Sequence, residues 1–491
     1  MNMFIFRRLL IILFIGLCIF QMGCDNSGTK DTEEHSILFT NVTAIDAKFG
    51  ERNNINILVT NNKIAKVSME QINSPSNCIT IDGTGKYLIP GLWDAHVHLT
   101  FTPGLEESMF PLFIANGITS IRDTGGLIGL VLPWKDKAKK EPNRSPNVFI
   151  AGPLLDGLPN VYDGSPGRPE ISIGLESPKE VEEAVVMLKN KGVDLIKSYE
   201  ILTPEEFIAI LNRSKEQGLF VTGHVPLSMD VIEASDAGLR SMEHLRNLEM
   251  ACSKDFDSLL NERRKMLLAG KDSLGGKLRS YIHRSQRLHA INSFDEERTN
   301  KVLARLAEND TWQIPTIALL TGGINRLYED DTWQKTFQYL PKKVKSIWIN
   351  KANNSKQKES SELSLVHGEW GLQMIAKLKS ANVKILAGTD TPISYLTPGF
   401  SLHKELEMLV KGGLKPIEAI ESATILPAKY FDLEETMGTI EPFKLADLVL
   451  LDANPLSNIK NTTKISAVVR NGTYYNREAL NNLLQLSSEK D

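Results

Sequence analysis

The chain has 491 residues, 42% of them hydrophobic and 24% charged, with a formal net charge of −4. That length is too great for one small core, and the composition is that of an ordinary globular protein. The near-neutral charge, with no basic stretch interleaved with aromatics, points to no nucleic acid or acidic surface as a partner.

The first element is a separate matter. "MNMFIFRRLLIILFIGLCIFQMGC" sets Arg7 and Arg8 before an apolar run and Gly23 before Cys24. The run is short for a membrane span and has the layout of a secretory signal over 1–23. Its end resembles a bacterial lipobox, although Gln21 and Met22 are looser than the usual pattern. The resemblance implies cleavage before Cys24, lipid attachment to its sulfur and an exported lipoprotein facing the periplasm or cell surface. An uncleaved helical anchor is the alternative. Residues 24–36 then read as a polar tether. Of the four cysteines, only Cys78 and Cys252 fall in the body of the chain, which makes no disulfide framework.

Residues 37–87 open with "ILFTNVTAID" and "NINILVTNNKIAKVS", the second broken at Asn61 and Asn62 as in a hairpin. From 88 to 435 the pattern changes to eight short β-like runs alternating with helical stretches: "LWDAHVH", "TSIRDTGG", "NVFIAGPLL", "VDLIKSYE", "LFVTGHV", "SMEHL", "WQIPTIAL" and "VKILAGTD". Two of the helices carry clear signals. One has Ser177 as cap, Pro178 next and Gly192 at its end; the other has Thr203, Pro204, Glu206 and Gly218. Eight strand–helix repeats predict an α/β fold with a (β/α)8 TIM-like barrel, an open doubly wound sheet being the alternative. Residues 436–480 return to β pattern in "KLADLVLLDA" and "ISAVVRNGTYY", so a small β-sandwich domain built from both ends of the chain is expected. Long insertions follow strands six and seven, over roughly 247–310 and 321–380. The basic stretch in the first, "NERRKMLLAGKDSLGGKLRSYIHRSQRLH", reads as a solvated helix pair.

In such barrels the chemistry sits at the carboxyl ends of the strands. Strand one ends with His96 and His98, whose i, i+2 spacing puts both imidazoles on one face. Strand four ends with Lys197, strand five with His224, strand six with His244 and strand eight with Asp390. Each alone has an ordinary explanation, such as a satisfied core histidine or a turn cap. Their coincidence at one mouth points to a shared metal site.

The motifs "PGLWDAHVH", "IKSYE", "GHV", "EHL" and "AGTD", in that order, resemble the amidohydrolase superfamily of metal-dependent hydrolases, its imidazolonepropionase-related and Xaa-Pro dipeptidase-like branch above all. So do "GFSLHKELEMLVKGGLKPIEAIESATILPAKYF" and "MGTIEPFKLADLVLLDANPL". The resemblance implies carbon dioxide-derived carboxylation of Lys197, which makes a bridging ligand of a residue whose ammonium cannot bind a cation. It implies two divalent metal ions, zinc being expected from the mixed imidazole and carboxylate donors. His96, His98 and Asp390 would serve one, and His224 and His244 the other. A metal-bridged hydroxide would then hydrolyse the C–N bond of a cyclic amide or dipeptide-like small molecule, with Asp390 as general base and acid. Candidate substrate contacts are Tyr199, Arg246, Tyr162 and Arg168; His403 suits either a site role or helix packing. A homo-oligomer is left open. Two other readings stand beside this one: a deaminase of the same superfamily, against which Lys197 argues, and a non-catalytic, lipid-anchored solute-binding barrel.

Overall fold

The computed structural model describes residues 35–488. The expected signal segment, Cys24 and the tether up to residue 34 lie outside the described residues.

Strands from both ends of the chain pair into one mixed sheet. The first part gives β1 (Ser36–Asp46), β2 (Gly50–Thr60), β3 (Lys63–Ser68), β4 (Cys78–Asp82) and β5 (Tyr87–Pro90). The second set, near the far end, pairs onto β5 in the order β5-β15-β16-β17, from β15 (Leu448–Leu451), β16 (Ile465–Arg470) and β17 (Thr473–Asn476). The β2–β3 turn sits at Asn61, whose φ of +55° asparagine tolerates. The β16–β17 turn uses Asn471 and Gly472, both at positive φ, as a two-residue hairpin demands. These turns touch: a Cβ on Gly472 would lie 1.6 Å from the Asn61 carbonyl oxygen. Ile37, Phe39, Val59, Leu448 and Val469 fill a core between the two sets of strands.

The middle of the chain is α/β with parallel pairing. β6 (Leu92–Val97), β7 (Ile118–Asp123) and β8 (Asn147–Ile150) form one sheet. A second contains β9 (Leu154–Gly157), β10 (Ser172–Leu175), β11 (Leu195–Ser198), β12 (Phe220–Gly223), β13 (Ser241–Glu243) and β14 (Trp312–Ile314). The two sheets meet at both sides. Asp194 N donates to Ile150 O at 2.9 Å, joining β8 to the start of β11. The eighth predicted run forms no full strand; it makes single parallel bridges, Ile385 to Gln313 of β14 and Thr391 to Val97 of β6. Asp94 supports that junction by accepting from the Thr389 backbone N–H at 3.0 Å and its hydroxyl at 2.7 Å.

The two capped helices form as their signals predict. Ser177 accepts from Glu180 N, with Gly192 in the left-handed region, and Thr203 and Glu206 make a reciprocal capping box. Both long connections are helical. The first contains helices Phe256–Ala269, Gly275–Asn292 and Glu296–Glu308; the second contains Lys342–Lys356 and Glu362–Ser380. The basic stretch of the first is solvated on one face only, where Arg264, Lys265, Lys277 and Arg284 are exposed. Arg263 and His283 are buried, and Arg263 donates to Gln286 and Asn247. Asn247 lies outside the stretch, so a local charge count does not register it. Among the described residues, no helix is long and apolar enough to cross a membrane.

Candidate metal centre

The six predicted ligands come together. His96 and His98 leave β6; Lys197 lies in β11; His224 and His244 immediately follow β12 and β13; Asp390 ends the bridged stretch after Ile385. All six are buried and line one cavity of about 250 Å³. The ring centroids of His96 and His244 are 4.6 Å apart, those of His96 and His98 5.3 Å, and those of His224 and His244 5.0 Å.

Each histidine is committed through Nδ1. His96 bonds Glu243 at 2.6 Å, His98 the Gly125 carbonyl at 2.9 Å, His224 bonds Glu200 at 2.6 Å and His244 the Thr316 hydroxyl at 2.7 Å. That pattern fixes each ring and leaves Nε2 as the nitrogen able to meet a ligand. The Nε2 atoms of His96 and His98 stand 3.2 and 3.1 Å from Asp390 Oδ1, and that of His244 stands 4.0 Å from Oδ2. His96 Nε2, Asp390 Oδ1 and Lys197 Nζ are buried without a hydrogen-bond partner. The orphaned imidazole nitrogen and carboxylate oxygen carry a desolvation cost that a cation would remove. One atom each from His96, His244 and Asp390 already lies within 4.8 Å of the others, a grouping that fits a metal ion.

Electrostatics at His224, His244 and Lys197 agree with ligand chemistry, whereas at His98 burial is outweighed by Asp390, which raises the ring above the usual histidine range. Burial pushes the His224 imidazole down to about 3, and burial likewise holds His244 well below the usual histidine range, so both rings are neutral. Burial also pushes the Lys197 ammonium down to about 8, Glu243 working against this at 3.9 Å. Glu243 itself is buried; Arg122 foremost, then Lys197 and His96, outweigh that burial and keep it well below the usual carboxylate range.

The backbone is strained at two of the six positions. His244 and Asp390 have φ of +61° and +65°, a region that costs a non-glycine residue about 1–2 kcal/mol. Such outliers persist where the surroundings over-determine them, most often at functional sites. Gly388 permits the close approach behind them, since a Cβ there would fall 2.8 Å from that of His96.

The weaker candidates divide. Tyr199, Tyr162 and Arg246 line the cavity. Tyr199 lies against His224, ring centroids 4.4 Å apart, and meets Tyr162 edge-on at 5.8 Å. Arg168 is not among the lining residues; its guanidinium lies over Tyr162 and donates to Gly276 O and the Ser280 hydroxyl. His403 bonds Thr462 and the Asn116 carbonyl, so both ring nitrogens are spent on packing.

Sequence reasoning passed over the residues behind the ligands. Glu200, Glu243, Arg122 and Thr316 went unnoticed, as did Arg279, which reaches the cavity from the first insertion. A signal existed: "IKSYE" and "SMEHL" each carry an acid in an otherwise buried strand run.

The fold and site together define a hydrolase with metal-binding capacity. The chain belongs to the amidohydrolase family of enzymes, hydrolases acting on carbon–nitrogen bonds; the family model matches residues 87–474. It is 24% identical to the imidazolonepropionase of Treponema denticola over 417 residues, 81% of this chain and 85% of that one. A solved Xaa-Pro dipeptidase with methionine bound in its active site shares the fold, with a TM-score of 0.65, 21% identity and coverage of 90% of this chain and 100% of that one. The likeness to the adenine deaminase of Desulforamulus reducens is local, 28% identity over 132 residues, and spans 27% of this chain and 21% of that enzyme.

Proposed function

We propose that this protein hydrolyses a C–N amide bond in a small cyclic or dipeptide-like molecule, at a two-metal centre in the mouth of a (β/α)8 barrel. The observation that carries the reading is the set of four buried histidines, each fixed through Nδ1, around Asp390 and a lysine nitrogen with no hydrogen bond. Barrel closure finds support in the bridges at Ile385 and Thr391 and the hydrogen bond from Asp194 to Ile150. The β-sandwich domain finds support in the apolar core shared by strands from both chain ends.

His96, His98 and Asp390 would hold one divalent ion, zinc by preference, and His224 and His244 the other. Lys197 would join them as a carbamate. Its lowered affinity for a proton supplies neutral amine, which forms a bond to the carbon of carbon dioxide and releases one N–H proton. Bound divalent ions would supply Lewis acidity there, for a carbonyl to be polarised and the pKa of water to be lowered. Asp390 takes a proton from the attacking water and returns it to the leaving nitrogen, the task of a general base and acid. Tyr199 and Arg246, which line the same cavity, orient the substrate.

The test is metal analysis beside a hydrolysis screen of dipeptides, N-acyl amino acids, hydantoins and lactams on metal-loaded protein. Two metals per chain are expected, with release of an amine from an acyclic amide or ring opening of a cyclic one; a chain that binds no metal after loading refutes the reading. The local likeness to adenine deaminase keeps deamination as a second reading, which ammonia release from aminopurines in the same screen would favour. Family membership sets aside the non-catalytic solute-binding protein. We also propose export as a lipoprotein anchored through Cys24; mass spectrometry of the processed N-terminus is expected to find lipidated Cys24, and an intact Met1 refutes it.

A further inference from the structure

Two of the site's histidines are backed by buried carboxylates, and the two carboxylates are held in different ways. Behind His96, Glu243 takes a hydrogen bond from Arg122 of β7 at 2.7 Å and another from the Thr222 hydroxyl of β12. Every group in that arrangement belongs to the parallel strands. Behind His224, Glu200 has no exposed side-chain surface, and its two closest partners besides that histidine come from the insertion. Arg279 donates to Oε1 through Nε at 3.0 Å and Nη2 at 2.9 Å, and His283 Nε2 bonds Oε2 at 2.5 Å. Arg246 stands nearby at 3.6 Å, its buried Nε without a hydrogen bond. His283 is fixed in turn: Arg287 donates to its Nδ1 at 3.0 Å and to Glu249 at 2.8 Å. A continuous chain of charge-assisted bonds thus runs from Glu249 through Arg287, His283 and Glu200 to His224.

An ionised carboxylate out of reach of water requires paired donors, and a ligating imidazole requires a fixed partner on its other nitrogen. We propose that the helix Gly275–Asn292 is a working part of the metal centre, with Glu200 as a positioning residue: Arg279 and His283 hold Glu200, and Glu200 orients His224 so that its Nε2 meets the second cation. The inference rests on the two-metal reading. It adds that the two cation positions differ in what completes them. The position at His96, His98 and Asp390 is finished by the parallel strands and the turns that follow them, whereas the position at His224 and His244 is finished only when the insertion docks.

The test compares the full-length chain with Arg279→Ala, Arg279→Lys and Glu200→Gln, using Co2+ as the probe. Bound cobalt per chain, its visible spectrum and its release to a chelator are measured, with circular dichroism as the check on folding. Wild type is expected to bind two ions. Arg279→Ala and Glu200→Gln should keep one at wild-type affinity and hold the other about 10–100-fold more weakly, the usual cost of losing such a partner. Arg279→Lys should recover part of the loss. Retention of both ions at wild-type affinity overturns the inference and leaves the two-metal reading intact, as does an equal loss of both in a folded variant. Should Arg279→Ala fail to fold, the near-isosteric Glu200→Gln decides between these outcomes. Wild type that binds no cobalt overturns both.

Discussion

A buried lysine nitrogen without a hydrogen-bond partner, set among four histidines, is costly to keep unless it does chemistry. Lys197→Ala is expected to abolish turnover and release at least one metal while the fold survives, and short carboxylic acids added to the variant should restore part of the rate by standing in for the carbamate. A variant with full metal content and wild-type rate would show that Lys197 does not bridge. Asp390 makes a second residue-scale case. Asp390→Asn keeps an oxygen that can coordinate weakly but cannot accept a proton near neutral pH. Loss of general acid–base catalysis predicts a fall in kcat of ~10²–10⁴-fold, with a much smaller change in KM. Metal content measured beside the rate separates a lost ligand from a lost proton relay. All six proposed ligands were legible as a cluster because each ends or closely follows a strand-like run, and the pleat or the turn after it fixes where the side chain emerges. Arg168 was not, because a loop's sequence neighbours do not say which way a long side chain turns; it lies over Tyr162 but spends its donors on the insertion helix.

Single elements carry the site by fitting closely against their neighbours. β11 and β12 bear Lys197 and present His224, and they pack where Gly223 lies against Ser198. A Cβ at Gly223 would sit 2.3 Å from the Ser198 carbonyl oxygen, a backbone atom that cannot move aside alone. Gly223→Ala should therefore spread the two strands, at about 1–3 kcal/mol for an overpacked contact. Lower denaturant resistance together with weakened metal retention is the expected pair of results; an unchanged midpoint would mean that the ladder absorbs the methyl group freely. Strands and caps were readable in the sequence because their causes are local: alternation, a hairpin at Asn61 and Asn62, a Thr-Pro-x-Glu cap. The run "VKILAGTD" was read as a strand, yet it makes only single bridges at Ile385 and Thr391. Its pairing depends on strands that lie far off in sequence on both sides. The insertion was misread for the same reason. Arg279 and Arg287 looked solvated because the acids that pair with them, Glu200 and Glu249, precede the basic helix by tens of residues.

At the scale of the molecule, the question is what holds the mixed sheet to the parallel strands. Asp447, just before β15, and Arg470, at the end of β16, form a two-pronged pair with Nη1 at 3.0 and 2.8 Å from the two carboxylate oxygens, both side chains buried. Arg470 also donates through Nε to Ser145 O at 2.6 Å and through Nη2 to Asn147 at 3.1 Å, at the start of β8. The Asp447 carbonyl takes the Gly91 N–H at 2.7 Å, next to β6. One ion pair therefore ties the late strands of the mixed sheet to the first parallel sheet. Arg470→Met removes the cation, keeps most of the bulk and leaves Asp447 buried without its partner. Breaking a buried pair from one side costs about 3–5 kcal/mol, largely because the surviving charge stays desolvated. The variant should melt at a clearly lower temperature, with metal content per folded chain unchanged, since neither residue lines the cavity. Adding Asp447→Asn to Arg470→Met takes away the stranded charge, so the double variant should recover part of the loss. If Arg470→Met melts with wild type, the joint is held by apolar packing and the ion pair adds nothing. If the double variant is no better than the single, the cost lies in the lost bonds to Ser145 and Asn147 rather than in the uncompensated carboxylate.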